Sequence, residues 1–373
     1  MAARTRTTLP FAILAIAACG SRTGLDLDTG SLENVGSTGA PDSGGGSGSS
    51  SGGVGPVLCG PTPTVLATGQ RGTVSLAVDA NNVYWTNQPW GDTTSGSVQR
   101  VPLTGGTPTT LASPQGGPLF IAVDATSVYW DNQWDGAVVS VPIGGGSVTT
   151  LVMGLGQNGP AGLAIDATSL YWADFGDECF PSWTLVRAPL AGGAQTELAT
   201  GQAEPWQLAV DADALYWTNI TEASDQGGSV VKAPLTGGGP VTLASGQHYP
   251  SALALDDDNV YFTNGGTHAG MFLDGSVVKV AKRGGAAVTL ASGQQEAEGV
   301  AVDATNVYWV RAASMNGDGA VLSIGKSGGP ITTLASQQGT PVQIVARGDC
   351  VYWLDMGTQA NSYNDGTVMV VAK

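Results

Sequence analysis

Few residues in this chain have the type and spacing that chemistry demands. The two histidines, His248 and His268, stand close in sequence to Asp274, and the three together offer imidazole and carboxylate ligands of the kind zinc takes. They show no ligand spacing, and exposed loop histidines are common without a metal. No metal site is therefore assigned, and the trio stays a weak candidate. Four Asp-Gly pairs, Asp135-Gly136, Asp274-Gly275, Asp318-Gly319 and Asp365-Gly366, each precede an apolar β-type run. Tight-turn chemistry explains them better than calcium ligation. No nucleophile motif, phosphate loop or cofactor signature stands out from the Gly- and Ser-rich turns. No catalytic residue is assigned and no cofactor is expected.

What must position these residues is a repeat. The stretch Leu208 to Asn219, reading Leu-Ala-Val-Asp-Ala-Asp-Ala-Leu-Tyr-Trp-Thr-Asn, recurs in seven copies. Their reference positions are Asp79, Asp124, Asp166, Asp211, Asp256, Asp303 and Arg347, spaced 42 to 47 residues apart. Periods of roughly 40 to 50 residues built from short β segments point to propeller blades of four strands each. The fold expected is all-β, a seven-bladed β-propeller of four-stranded antiparallel blades over residues 59-373.

Within each copy the pieces are the same: a first strand such as Leu76 to Asp79, a second such as Val83 to Asn87, a third such as Ser97 to Leu103, and a fourth such as Thr109 to Ala112. Gly-Gly pairs at Gly105, Gly144, Gly192, Gly237, Gly284 and Gly328 mark the third-to-fourth-strand turns, where positive φ costs glycine nothing sterically. Pro102, Pro142, Pro189 and Pro234 close third strands, a terminal place where a missing ladder donor is tolerated. Trp85, Trp130, Trp172, Trp217, Trp309 and Trp353, with Phe262 once, recur at one strand position. One large ring per blade suits packing between blades better than ligand stacking.

These residues carry a resemblance. Leu163-Ala164-Ile165-Asp166 followed by Leu170-Tyr171-Trp172-Ala173-Asp174, and later Val351-Tyr352-Trp353-Leu354-Asp355, resemble the YWTD repeats of low-density-lipoprotein-receptor propellers. The likeness runs through the chain after residue 63 and implies a propeller and a binding habit, with no catalytic residue carried over. That family has six blades, and seven copies stand here. The last copy stops after its third strand, and Thr64-Val65-Leu66-Ala67-Thr68 matches fourth strands such as Val241 to Ser245. The N-terminal strand is therefore expected to close the ring, removing an exposed edge.

Ahead of the repeats, Arg4 and Arg6 precede the apolar run Leu9 to Ala18, which reads as a signal peptide over residues 1-18. It ends in Ile16-Ala17-Ala18-Cys19-Gly20, which resembles a bacterial lipobox with Cys19 as the lipidated residue; ordinary cleavage after Ala17 is the alternative. Residues 19-58 are Gly- and Ser-rich, a composition that makes a flexible tether. A lipoprotein of the cell envelope, held to the membrane through its lipid anchor and facing periplasm or exterior, is the expected address. The formal charge of -16 argues against nucleic acid as a partner.

Outside the cytoplasm cysteines can oxidise, and a Cys59 to Cys350 disulfide is expected to pin the closing strand, with Cys179 left free. Function should lie in the loops between second and third strands and the links between blades, which open on one face. That face would carry Trp90, Trp134, Trp183, Trp206, Tyr249 and Phe272, with Asp92, Asp177, Glu178, Glu204, Glu222, Asp225, Glu296 and Glu298. Aromatics among carboxylates suit protein, glycan or cationic small-molecule ligands; equally, the solvated loops of an acidic protein are acidic. Three classes stand: a binding module first, a propeller enzyme of lyase or lactonase type second, a structural envelope protein third.

Overall fold

The computed structural model describes residues 59–89, 91–155, 159–177, 180–220, 227–312, 318–358 and 361–373, with backbone alone at 176–177 and 180–182. The signal peptide, Cys19 and the tether lie outside these residues, as do Trp90, Glu178, Cys179, Glu222 and Asp225.

The described chain forms seven four-stranded antiparallel sheets. In blade 1 the strands are Thr73–Val78, Asn82–Asn87, Gly96–Pro102 and Thr109–Gln115. Blades 2 to 6 repeat this order, with first strands at Pro118–Val123, Pro160–Ile165, Pro205–Val210, Pro250–Leu255 and Ala297–Val302. Blade 7 takes three strands from Pro341–Arg347, Cys350–Asp355 and Gly366–Ala372, and its outer strand is Thr64–Gln70 from the other end of the described chain. Thr64 sits opposite Val370 and Val65 opposite Met369. First strands of neighbouring blades touch all the way round, blade 7 meeting blade 1. They line the centre of a closed ring.

Why this sequence closes so is visible in its three repeated residues. The indoles of Trp85, Trp130, Trp172, Trp217, Trp309 and Trp353 and the ring of Phe262 are fully buried, and Trp85, Trp130, Phe262, Trp309 and Trp353 lie in clusters that join side chains of adjacent blades. Most of the indoles are also tied to the preceding blade. Trp85, Trp130, Trp217, Trp309 and Trp353 donate Nε1–H to the side-chain oxygens of Gln70, Gln115, Gln202, Gln294 and Gln338, at 3.0 to 3.2 Å. The packing role expected of the tryptophans is thus observed, with a buried polar atom satisfied as burial requires.

The repeated aspartate is structural as well. Asp79 Oδ1 caps the turn by accepting the amides of Asn81 and Asn82, while Oδ2 accepts the Tyr84 hydroxyl at 2.7 Å. The same Asp–Tyr pair recurs in blades 2 to 6. Lys282, Lys326 and Lys373 reach back from the following blade to Asp211, Asp256 and Asp303 at 2.6 to 2.8 Å. In blade 7 Arg347 replaces the aspartate and donates instead to the Val78 carbonyl of blade 1.

Two boundaries differ from the expectation. First strands begin about three residues earlier and fourth strands end later, at the glutamine that holds the tryptophan, so most links between blades are only two residues long, as at Arg71 and Gly72. Variation between copies therefore concentrates in the second-to-third-strand loops. In blade 2 the hairpin glycines with positive φ are Gly145 and Gly146, at 89° and 139°, not Gly144. Cys59 and Cys350 are joined by a disulfide, Cα to Cα 6.0 Å, across a sequence separation of 291 residues.

Candidate functional site

The links and the second-to-third-strand loops share one face, around the start of each first strand. Six links repeat the same hydrogen bond: the residue after the second strand donates its amide to a link carbonyl, Gln88 to Gly72, Gln133 to Gly117, Ile220 to Glu204, Gly265 to Tyr249, Ala312 to Glu296 and Met356 to Thr340. The backbone at this position is left-handed in six blades. In blades 1 to 3 it is glycine, Gly72, Gly117 and Gly159, with φ of 63°, 69° and 55°. There the next loop lies directly over the Cα: a side chain on Gly72 or Gly159 would run into the carbonyl of Gln88 or Gln133, and one on Gly117 into the Trp134 ring.

Blades 4 to 6 break the pattern. The same position holds Glu204, Tyr249 and Glu296, with φ of 53°, 57° and 44°. A non-glycine residue is strained in this region, at a cost of order 1–3 kcal/mol. Three consecutive blades thus keep a side chain at the mouth of the ring where the other three glycines have none.

One residue into the strand plus one, the register reads Val74, Leu119, Ala161, Trp206, Ser251, Glu298 and Val342. Glu298 is its one ionisable member. Its backbone is fixed from blade 5, since the Thr263 hydroxyl donates to the Glu298 carbonyl at 2.5 Å and the Ser251 hydroxyl to that of Ala297 at 2.8 Å. Burial, and then the charge of Glu296 beside it, push the Glu298 carboxyl up to about 8. Glu296 also bears on Tyr363, whose hydroxyl is raised chiefly by its burial. The Glu296 amide donates to the Phe272 carbonyl at 2.9 Å, so the loops of blades 5 and 7 both reach this edge.

Across the ring the register carries one aromatic, Trp206. Trp206 meets Phe120 of blade 2 edge to face at 5.3 Å, passing over blade 3, which supplies only Ala161 and Gly162 there. A Cβ on Gly162 would strike the Trp206 carbonyl and the Leu208 side chain. The mouth therefore sets the Trp206–Phe120 ring pair, spanning blades 2 to 4, apart from the paired carboxyls of Glu296 and Glu298 on blade 6.

The loops of blades 5 and 7 are twins. Thr267 clasps Asp274 through its amide and hydroxyl, 2.8 and 2.7 Å, and Thr358 clasps Asp365 at 2.7 and 2.8 Å. Asp274 is thereby committed to its own loop. His248 lies close enough to help lower the Asp274 carboxyl, and His268 packs edge-on to Phe272 at 4.8 Å. The three do not assemble into a metal-ligand cluster, and no group of three or more His, Cys, Asp or Glu that could hold a metal occurs among the described residues.

Of the aromatics placed on this face by sequence, Trp206, Tyr249 and Phe272 stand at or beside the mouth, and Trp134 is 44% exposed above Gly117. Trp183 stands at the same end, opposite Gln202, but offers no open ring. Blade 3 extends its second and third strands to Ser169–Asp177 and Phe180–Pro189, so Trp183 falls inside a strand and is buried edge-on against Phe175 at 4.6 Å. Asp92 caps its own exposed turn through Thr94 and Ser95. Phe120 and Tyr363 were not among the sequence candidates. Phe120 reads as an ordinary strand residue until the ring is closed, and Tyr363 gains its place only from the loop it shares in pattern with blade 5.

The fold and this mouth define a class, the seven-bladed β-propeller with its links and long loops on one face. No family model matches the chain and no curated protein matches it by sequence. Among solved structures it is similar to virginiamycin B lyase from Staphylococcus aureus, at 11% identity over 84% of this chain and 99% of that one, TM-score 0.62. It is similar also to a puromycin-hydrolyzing peptidase of Mycobacterium tuberculosis, at 16% identity over 76% of this chain and 49% of that one, TM-score 0.58. A nidogen/laminin complex matches at 18% identity over 62% of this chain and 86% of that one, TM-score 0.47. At these identities the likeness is one of fold.

Proposed function

We propose that this protein is a binding module whose ligand site is the mouth of the ring, and that its ligands carry a protonated amine on an apolar or aromatic body. The observation that carries this reading is the link register: of the six left-handed positions three are glycine, but three hold Glu204, Tyr249 and Glu296, with Glu298 on the strand behind. Strained side chains persist where the surrounding structure holds them for a purpose. The carboxylates supply a counter-charge for a cation, and Trp206 with Phe120 offers a ring wall for its apolar part. The lipid anchor on Cys19 and the tether of residues 19-58, inferred from sequence, would hold this mouth outside the membrane.

A second reading rests on Glu296 and Glu298. Two neighbouring carboxyls of which one stays protonated near neutral pH are the parts of an acid-base pair, and propellers of this shape include a lyase and a peptidase by the names of their structures. The two readings part in one experiment. The full chain is screened for binding and for turnover against aromatic amines, the matching carboxylic acids and neutral alcohols, glycans, and lactone and ester substrates. The binder reading expects saturable binding of amines, weakened at least tenfold in Glu296→Gln, with no product formed. Turnover lost in Glu298→Gln would establish the enzyme instead.

A further inference from the structure

Five positions along the second strand, four blades carry a polar residue, Thr86, Asp131, Thr218 and Thr263, where the other three have Ala173, Val310 and Leu354. Thr86 accepts the Ser75 amide of its own blade at 3.1 Å and donates its hydroxyl to the Leu119 carbonyl of blade 2 at 2.6 Å. Thr263 donates likewise from blade 5 to the Glu298 carbonyl of blade 6. Thr218, in blade 4, accepts the Gln207 amide at 3.2 Å. In blade 2 the position is Asp131. It is fully buried, its Oδ1 accepts the Phe120 amide at 2.6 Å, and its Oδ2 is enclosed with no hydrogen-bond partner.

A carboxylate oxygen buried in that way is costly, because an ionised carboxylate can only accept and nothing offers it a proton. Thr86 shows what a polar residue does here: it accepts from its own blade and donates to the next, and Thr263 repeats the donation. We propose that Asp131 is held as the neutral carboxylic acid and that its Oδ2–H is the donor tying blade 2 to blade 3, making this seam a proton-dependent latch beneath the mouth. The register places the Ala161 carbonyl, the counterpart of those of Leu119 and Glu298, as the acceptor.

The surroundings agree. Burial drives the Asp131 carboxyl well above its ordinary range, against which the amides of Phe120, Asp131 and Leu119 pull only part of the way. No charged side chain contributes, since the facing first strands of blades 2 and 3, Pro118–Val123 and Pro160–Ile165, carry none, nor does Ala137–Pro142 of its own blade. The Phe120 amide on Oδ1 belongs to the residue whose ring meets Trp206, so Asp131 joins the seam to the Trp206–Phe120 pair, and ionising it removes the donor at the seam while leaving the Phe120 bond in place. The sign follows: the unfolded carboxyl ionises near pH 4 and the folded one far later, so the latch's share of stability is full at low pH and declines as pH rises.

Isotope-edited infrared spectra of the full chain with labelled aspartate test this at neutral pH. The difference between wild type and Asp131→Asn should contain the carbonyl band of a protonated carboxyl and no carboxylate bands. Carboxylate bands in that difference would overturn the proposal. Asp131→Thr, which supplies the hydroxyl found in blades 1, 4 and 5, gives a second readout through melts between pH 5 and 9. Its melting temperature should equal or exceed that of wild type, by a margin that widens as pH rises. A margin that is constant or shrinks with pH, or an Asp131→Thr variant less stable than wild type at pH 9, contradicts the latch.

Discussion

At the scale of the residue, one chemical type does different work according to register. Asp79 and its five counterparts are turn caps and tyrosine acceptors, whereas Glu298 stands in an otherwise non-ionisable register and is held near neutrality by burial. Its folded value of about 8 against an ordinary value near 4 means the unfolded chain gives up this proton first. Glu298 therefore lowers stability progressively as pH rises from about 4 to 8, and Glu298→Gln should flatten that part of the pH–stability curve, measured by denaturant titration. An unchanged slope would show the carboxyl to be ordinarily solvated. The tryptophans set the larger stakes: Trp217→Ala removes a fully buried indole and its bond to Gln202, and a loss of about 3–5 kcal/mol is expected in the same titration. The matching loss should be smaller for Phe262→Leu, where no indole bond exists to break.

Among the elements, the closing strand bears the greatest burden. Thr64–Gln70 supplies both the outer strand of blade 7 and the Gln70 acceptor for Trp85 of blade 1, so its removal strips an edge and unpairs an indole in the next blade. Deleting residues 59 to 70 should abolish the cooperative thermal transition. Cys59→Ser leaves the strand in place but frees the chain from a link between distant residues, and should cost about 2–4 kcal/mol; a melt unchanged under reducing conditions would show the link to be idle. The number of blades and the manner of closure were legible because a 42- to 47-residue period and a missing fourth strand are properties of the string itself. The burial of Trp183 was not legible because strand extension in blade 3 departs from the repeat template, and nothing local in Phe-Pro-Ser-Trp announces it. The convergence of Glu296, Glu298 and Tyr363 was legible only in part. The exceptional glutamate shows up once the seven first strands are aligned, but Tyr363 reaches it from another blade, through contacts that sequence spacing does not encode.

For the molecule as a whole, the repeat makes a near-symmetric scaffold and the mouth departs from that symmetry. The Trp206–Phe120 ring pair spans blades 2 to 4 while Glu296 and Glu298 stand together on blade 6, which is the division a ligand with an apolar body and a cationic end would meet. If that ligand's cation is received by Glu298, binding at neutral pH must displace the Glu298 proton, and affinity must climb with pH by up to about tenfold per unit until the carboxyl is ionised. The most direct measurement is calorimetric titration of the full chain with 2-phenylethylamine, at pH 6, 7 and 8 and in buffers of different ionisation enthalpy. Binding that tightens toward pH 8 with release of a proton, a pH dependence abolished in Glu298→Gln, and no binding of phenylacetate are the results expected. Amine binding that is indifferent to pH and to Glu298→Gln, or equal binding of phenylacetate, would contradict the placement of the site at the mouth.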